Sequence, residues 1–120
     1  MSEHGGSWPR GVLEMCVLAL LGGGPAHGYG LARHLSAAGV GEVKGGTLYP
    51  LLGRLERDRL VESTWEPGEP GRPGRKYYRL TETGRQRLND DGASWRCWVD
   101  DVNALLDDAA VPRENGGTGR

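Results

Sequence analysis

Leu48, Leu51, Leu52 and Leu55 recur at the three- and four-residue steps that collect apolar side chains on one helical face. Pro50, Gly53, Arg54 and Arg57 share the opposite face, so the segment predicts a short amphipathic helix with a polar, cation-bearing outer surface. Thr47 is the expected N-cap, its hydroxyl accepting from a backbone N–H of the first turn. That places Pro50 at the third helical position, where its missing N–H leaves no intrahelical bond unmade.

The pattern then changes period. Leu60–Trp65 and Lys76–Leu80 are short and rich in β-formers, and six of the ten residues from Glu66 to Arg75 are Pro or Gly. This predicts a two-stranded hairpin with a long tip devoid of regular structure. Alternation sends Leu80 and Tyr78 toward the core and Tyr77 and Arg79 to the other surface. A helix followed directly by such a hairpin is the layout of a winged helix-turn-helix.

Upstream, residues 9–21 predict a first helix with Leu13, Val17, Leu20 and Leu21 as its core face, and Gly22–His27 a loop. Residues 28–38 predict a second helix with Leu31 and Leu35 inward, ended by Ala38-Gly39. Val40–Gly46 is the expected helix-turn-helix connection, with Lys44 placed to meet a phosphate. Gly28 and Gly30 around Tyr29 point to tight packing at the second helix's start. Tyr29 is either a phosphate contact or a core anchor, and His27 a turn residue instead of a ligand.

Thr81 is the expected N-cap of a last helix running to about Asp108, before Pro112. Leu88, Gly92, Trp95, Val99, Val102 and Leu106 recur at steps of four and three, flanked by Trp98 and Leu105, as in a coiled-coil-like seam. The other faces are acidic, so the simplest partner is the same helix, or the first helix, of a second subunit. The fold expected is mainly α with a small β-hairpin. Its divisions are a flexible N-terminus at 1–8, where Trp8 packs at most on the domain edge, a winged-helix DNA-binding domain at 9–80, a dimerisation helix at 81–111 and a disordered tail at 112–120.

Composition changes this picture in one respect. The net charge of −1 is poor for a DNA binder, yet it is unevenly spread. From Arg72 to Arg87 six basic residues face one acid, Glu82, whereas residues 88–114 carry seven acids against Arg96 and Arg113. The wing is the basic end. Met15–Leu21, seven apolar residues, is too short to span a bilayer, and a cytoplasmic protein without membrane contact is expected. Cys16 and Cys97 fit no metal spacing and read as reduced thiols. No nucleophile–base pair, metal-ligand spacing or phosphate-cradling glycine loop is present: Gly22-Gly23-Gly24 follows a helix instead of a strand. An enzyme and a cofactor are therefore not expected.

Arg10-Gly11, His27-Gly28-Tyr29-Gly30, Gly46-Thr47-Leu48-Tyr49-Pro50 with Arg54-Leu55-Glu56, Arg72 to Arg79 and Leu80-Thr81-Glu82-Thr83-Gly84 together resemble the PadR family of transcriptional regulators, in particular its short members with a single C-terminal helix. The resemblance spans about residues 10–106. It implies a homodimeric repressor whose winged helices bind a palindromic operator on double-stranded DNA, with a possible small-molecule effector at the dimer. The residues expected at DNA are Lys44, Thr47, Tyr49, Pro50, Gly53, Arg54, Arg72, Arg75 and Lys76. Gly53 is either a bare surface for close approach or one tolerated glycine among 21. Arg54 either grips a guanine edge or neutralises phosphate.

Two readings of Trp95 and Trp98 stand side by side: filling of a dimer interface with aromatic area, or a flat pocket for a planar hydrophobic or cationic effector. Some multidrug-responsive members of the family are similar at Trp95. Gly11, Glu14 and Met15 would then line the pocket walls, Met adaptable and Glu14 favouring cations. The alternative to a DNA-binding regulator is a winged-helix protein-interaction module, against which the basic wing and the Arg-bearing helix face both argue.

Overall fold

In a computed structural model, residues 11–110 are described, and the expectations for Trp8, Arg10, Pro112 and the two termini lie outside them. Seven elements follow in order: α1 (Val12–Leu21), β1 (Ala26–His27), α2 (Gly28–Ala37), α3 (Gly45–Arg57), β2 (Val61–Glu66), β3 (Arg75–Leu80) and α4 (Glu82–Ala109). The chain divides into two compact units between Asn89 and Asp90. The first two turns of α4 thus belong with the winged unit.

Leucine supplies nearly all of that unit's core: Leu13, Leu18 and Leu21 of α1, Leu31 and Leu35 of α2, and Leu48, Leu51, Leu52 and Leu55 of α3 are buried, with Val17, Val61, Tyr78 and Leu80. On α1 Leu18 replaces the expected Leu20, which is only partly buried. The α1 sequence is apolar nearly all round, so periodicity could not choose its inner face. The expected faces of α2, α3 and β3 are those observed.

The hairpin is joined by a third strand. β1 pairs antiparallel with β3, Ala26 opposite Tyr78 and His27 opposite Tyr77, giving the order β1-β3-β2. The expected loop at Gly22–His27 is corrected accordingly. Two residues make no strand of their own; pairing with distant β3 creates it. The wing tip is also more ordered than expected. Glu69 and Arg72 exchange backbone hydrogen bonds at 2.8 Å around Pro70-Gly71, and Gly71 takes the positive φ of 83° that a type II turn requires.

The start of α3 differs from expectation. Lys44 is the N-cap, and its carbonyl accepts from Thr47 N–H and Leu48 N–H, both at 2.9 Å. Thr47 lies inside the first turn and caps nothing. Pro50 consequently sits at the sixth helical position, where the Gly46 carbonyl loses a donor; Gly46 is exposed, which keeps the cost of that loss small. Packing compensates for the poor helix propensity of Gly45-Gly46, because the Tyr49 ring lies over Gly45 and Gly28.

α3 ends in a Schellman closure. Arg59 N–H donates to Glu56 O and Leu60 N–H to Leu55 O, both at 3.0 Å, with Arg59 in the left-handed region at φ 63°. The turn then joins α4. Thr81 N–H donates to Leu60 O (3.1 Å), its hydroxyl donates to Arg59 O (2.7 Å), and the same oxygen caps α4 by accepting from Gly84 N–H (3.0 Å). Gly84 presses on the Leu60 backbone so closely that no Cβ would fit. Leu88, expected in the dimer seam, packs against this unit's own core and contacts Gly22.

Candidate nucleic-acid interface

At 100° per residue, the stripe of α3 farthest from its buried leucines is Gly46, Pro50, Gly53 and Arg57. A Cβ at Gly46 would meet nothing within 4 Å, and one at Gly53 only Arg57 Nη1 at 3.8 Å. The stripe is therefore smooth and open. Thr47 and Arg54 border it on one side, Tyr49 and Glu56 on the other. A smooth helix face of this kind can seat deep in a groove, with polar contacts confined to its margins.

Ion pairing sorts the expected DNA-binding cations. Arg54 Nη2 lies 3.0 Å from Glu14 of α1, which Arg87 of α4 also approaches at 3.5 Å. Lys76 Nζ lies 3.5 Å from Glu56, whose other oxygen accepts from Ser63 Oγ at 2.6 Å. Arg72 pairs with Glu69 at 3.4 Å and Arg79 with Glu62 at 2.9 Å. These are exposed or half-exposed pairs, worth about 0–1 kcal/mol each and readily exchanged for phosphate. Among the described residues of the winged unit, Lys44, Arg75, Arg33, Arg57, Arg59 and Arg85 have no carboxylate partner. Of the nine residues expected at DNA, only Lys44 and Arg75 are cations with no carboxylate to leave.

Among the expected residues, Tyr49 and Arg75 both border the start of α2. The Tyr49 ring, half-exposed, covers Gly28 at the start of α2 and Gly45 at the start of α3. His27 caps α2 and stands against Arg75, the first residue of β3. Lys44, Tyr49, His27 and Arg75 thus link the outer face of α3, the α2 terminus and the wing. Two members of this surface, His27 and Tyr29, are not among the nine residues expected at DNA. The sequence reads His27 as a turn residue, yet its ring caps α2 and meets Arg75. Tyr29 is 62% exposed and carries the Arg33 guanidinium 5.8 Å over its ring, which excludes the core-anchor reading. The glycines around Tyr29 were the available signal, since they leave its ring clear.

In the second unit, Trp95 and Trp98 stack at a tilt, ring centroids 5.5 Å apart. Trp98 is 55%, Leu105 70% and Leu106 62% exposed, with Val99 and Val102 half-buried. Glu14, Met15 and Gly11, expected with the tryptophans in a ligand site, lie in the winged unit, and the Glu14 carboxylate is engaged by Arg54 and Arg87. Cys16 and Cys97 are free, and burial pushes the Cys16 thiol pKa up. Among the described residues no group of three or more His, Cys, Asp or Glu could hold a metal ion, and no helix is long and apolar enough to cross a membrane.

Comparison with known proteins places this geometry. Residues 17–90 match the transcriptional regulator PadR-like family. The chain is 38% identical over 82 residues to transcriptional regulator Rv3488 of Mycobacterium tuberculosis, covering 68% of this chain and 74% of that protein. A PadR family regulator from Eggerthella lenta superposes with a TM-score of 0.72 at 41% identity, covering 81% of this chain and 83% of its own. A PadR-like regulator from Bacillus cereus gives 0.72 at 36%, covering 81% and 93%. These relatives are regulators of transcription and not enzymes. The chain belongs to the PadR-like family of transcriptional regulators.

Proposed function

We propose that the protein is a homodimeric, sequence-specific DNA-binding repressor that seats two α3 helices in successive major grooves of a palindromic operator. Half-site centres then lie about 34–36 Å apart, one helical turn. The observation that carries this reading is the smooth α3 stripe ending in Arg57, together with Lys44 at the α3 N-cap and Arg75 at the start of β3, cations with no carboxylate to leave. A protein-docking surface would instead present apolar bulk there. Binding to an operator duplex should weaken steeply with salt. Lys44→Gln should lower the log–log salt slope by about one, the loss of one phosphate contact. Salt-independent binding, or an unchanged slope in the variant, argues for the protein-interaction alternative.

The effector reading rests on the tilted tryptophan pair. A planar ring finds two aromatic faces at Trp95 and Trp98, more in a symmetric dimer. Titration with planar dyes should quench tryptophan fluorescence in the native chain and in Lys44→Gln but not in Trp95→Ala. Quenching that survives Trp95→Ala, or a broad panel without response, removes this part of the proposal. An effector would act by binding one arrangement of the two DNA-reading units better than another.

A further inference from the structure

Two N–H groups converge on one imidazole at the start of α2, and the neutral ring has a lone pair for only one of them. Gly30 N–H donates to His27 Nδ1 at 3.0 Å, which fixes the neutral ring's proton on Nε2. Nε2 stands 2.8 Å from Nη1 of Arg75, and a guanidinium is always protonated. Two donors therefore face each other. Moving the ring proton to Nδ1 would let Arg75 donate to Nε2 but would turn Nδ1–H against Gly30 N–H. Protonating both nitrogens would leave no acceptor at all. Burial, and after it the Arg75 guanidinium, hold the His27 pKa below the ordinary imidazole value, so the neutral ring with its outward Nε2–H prevails at neutral pH.

The ring is held in this pose. Tyr77 meets it edge-on with centroids 5.2 Å apart, and Tyr29 lies parallel at 6.4 Å. What the cluster lacks is an acceptor, and the surrounding charge favours an anionic one: Arg75 has no carboxylate partner among the described residues, and Arg33 lies over Tyr29. Water could accept both hydrogen bonds but would leave the guanidinium uncompensated. We propose that His27 and Arg75 clamp one oxygen of a DNA backbone phosphate, His27 Nε2–H and Arg75 Nη1–H both donating to it. The exposed Arg75 arm swings slightly to admit the oxygen. The proposal rests on the DNA-binding reading above and deepens it, making His27 a phosphate ligand as well as a helix cap.

The test separates cap from clamp. In His27→Asn the side-chain oxygen still caps α2 for Gly30 N–H, but no donor reaches the Nε2 position. With the full chain and a duplex selected for tight binding, H27N should melt near the native temperature and bind roughly tenfold more weakly, with the salt slope unchanged. Arg75→Gln should weaken binding and lower the slope by about one. The double variant should lose less than the sum of the two losses, because both donors serve one oxygen. Replacing the backbone phosphates one at a time by neutral methylphosphonate should weaken the native protein at one position per half-site, a position to which R75Q and H27N are insensitive. Native-like binding by H27N, or additive losses with undiminished methylphosphonate sensitivity, overturns the clamp. If H27N fails to fold, the same scan with native protein and R75Q decides alone: R75Q must lose sensitivity at that position, and the His27 Nε2–H resonance must shift on the phosphate duplex only. Failure to bind any duplex would strike the DNA reading itself.

Discussion

Gly84→Ala should destabilise the winged unit by about 2–3 kcal/mol, lowering its melting temperature by roughly 10 °C or more. Two effects oppose each other. Alanine in a helix gains about 1 kcal/mol over glycine. Against that, a Cβ at Gly84 would press into the Leu60 carbonyl oxygen, 2.9 Å from its carbon and 3.2 Å from Leu80 Cδ2. Backbone cannot rotate away as a side-chain tip can, so α4 must lift. Lifting it strains the Thr81 bonds to Arg59 O and Leu60 O, each worth about 0.5–1.5 kcal/mol, and draws Leu88 from the core. The clash wins. Gly53→Ala is the control, because its Cβ would meet only Arg57 Nη1 at 3.8 Å. It should gain up to about 1 kcal/mol of stability while weakening operator binding if α3 approaches DNA closely. Differential scanning calorimetry on both variants decides: a Gly84→Ala protein as stable as native would mean that the α3–α4 junction yields more easily than its geometry implies.

That junction also shows what sequence pattern could and could not convey. Leu48, Leu51, Leu52 and Leu55 are all buried, and Tyr78 and Leu80 face the core as alternation required, because burial sets the period of an amphipathic element. Thr81 caps α4 because an N-cap bond is local, made to a residue three positions on. Features set by distant partners were not legible. Arg54 meets Glu14 across 40 residues, and β1 exists only through β3. Thr47 offered a better cap than Lys44 on propensity, yet the helix begins earlier, since Tyr49 packing over Gly28 and Gly45 holds a weak glycine turn in place. The basic residues of the candidate DNA surface can be read from the sequence. Their division into paired and unpaired cations depends on carboxylates brought in by other elements. His27 was missed because its importance lies in which ring nitrogen is already occupied, a matter of geometry alone.

On the proposed dimer, Val102→Asp combined with Leu106→Asp should release monomers and lower affinity for a two-site operator by about 10²–10⁴-fold, the avidity lost when two heads no longer act together. Trp95, Trp98, Val99, Val102, Leu105 and Leu106 collect on one side of α4, while Asp100, Asp101, Asp107 and Asp108 lie on the other. A buried tryptophan removes about 150–250 Å² from water, worth about 4–6 kcal/mol at the usual 25 cal/mol per Å². Two copies of this seam can thus offset an association cost of about 4–15 kcal/mol, whereas a pair of buried, unpartnered aspartates cannot be accommodated. The winged unit should melt as before, because neither residue contributes to its core. Affinity for an isolated half-site should also be unchanged. Salt offers an independent check: it should favour the dimer, by screening acidic helices and strengthening apolar burial, while weakening the DNA complex. Sedimentation of the native and double-aspartate proteins, with binding to one- and two-site duplexes, separates the alternatives. Native affinity for the two-site duplex from a chain that sediments as a monomer would mean that one winged unit suffices, and the paired-groove arrangement would fall.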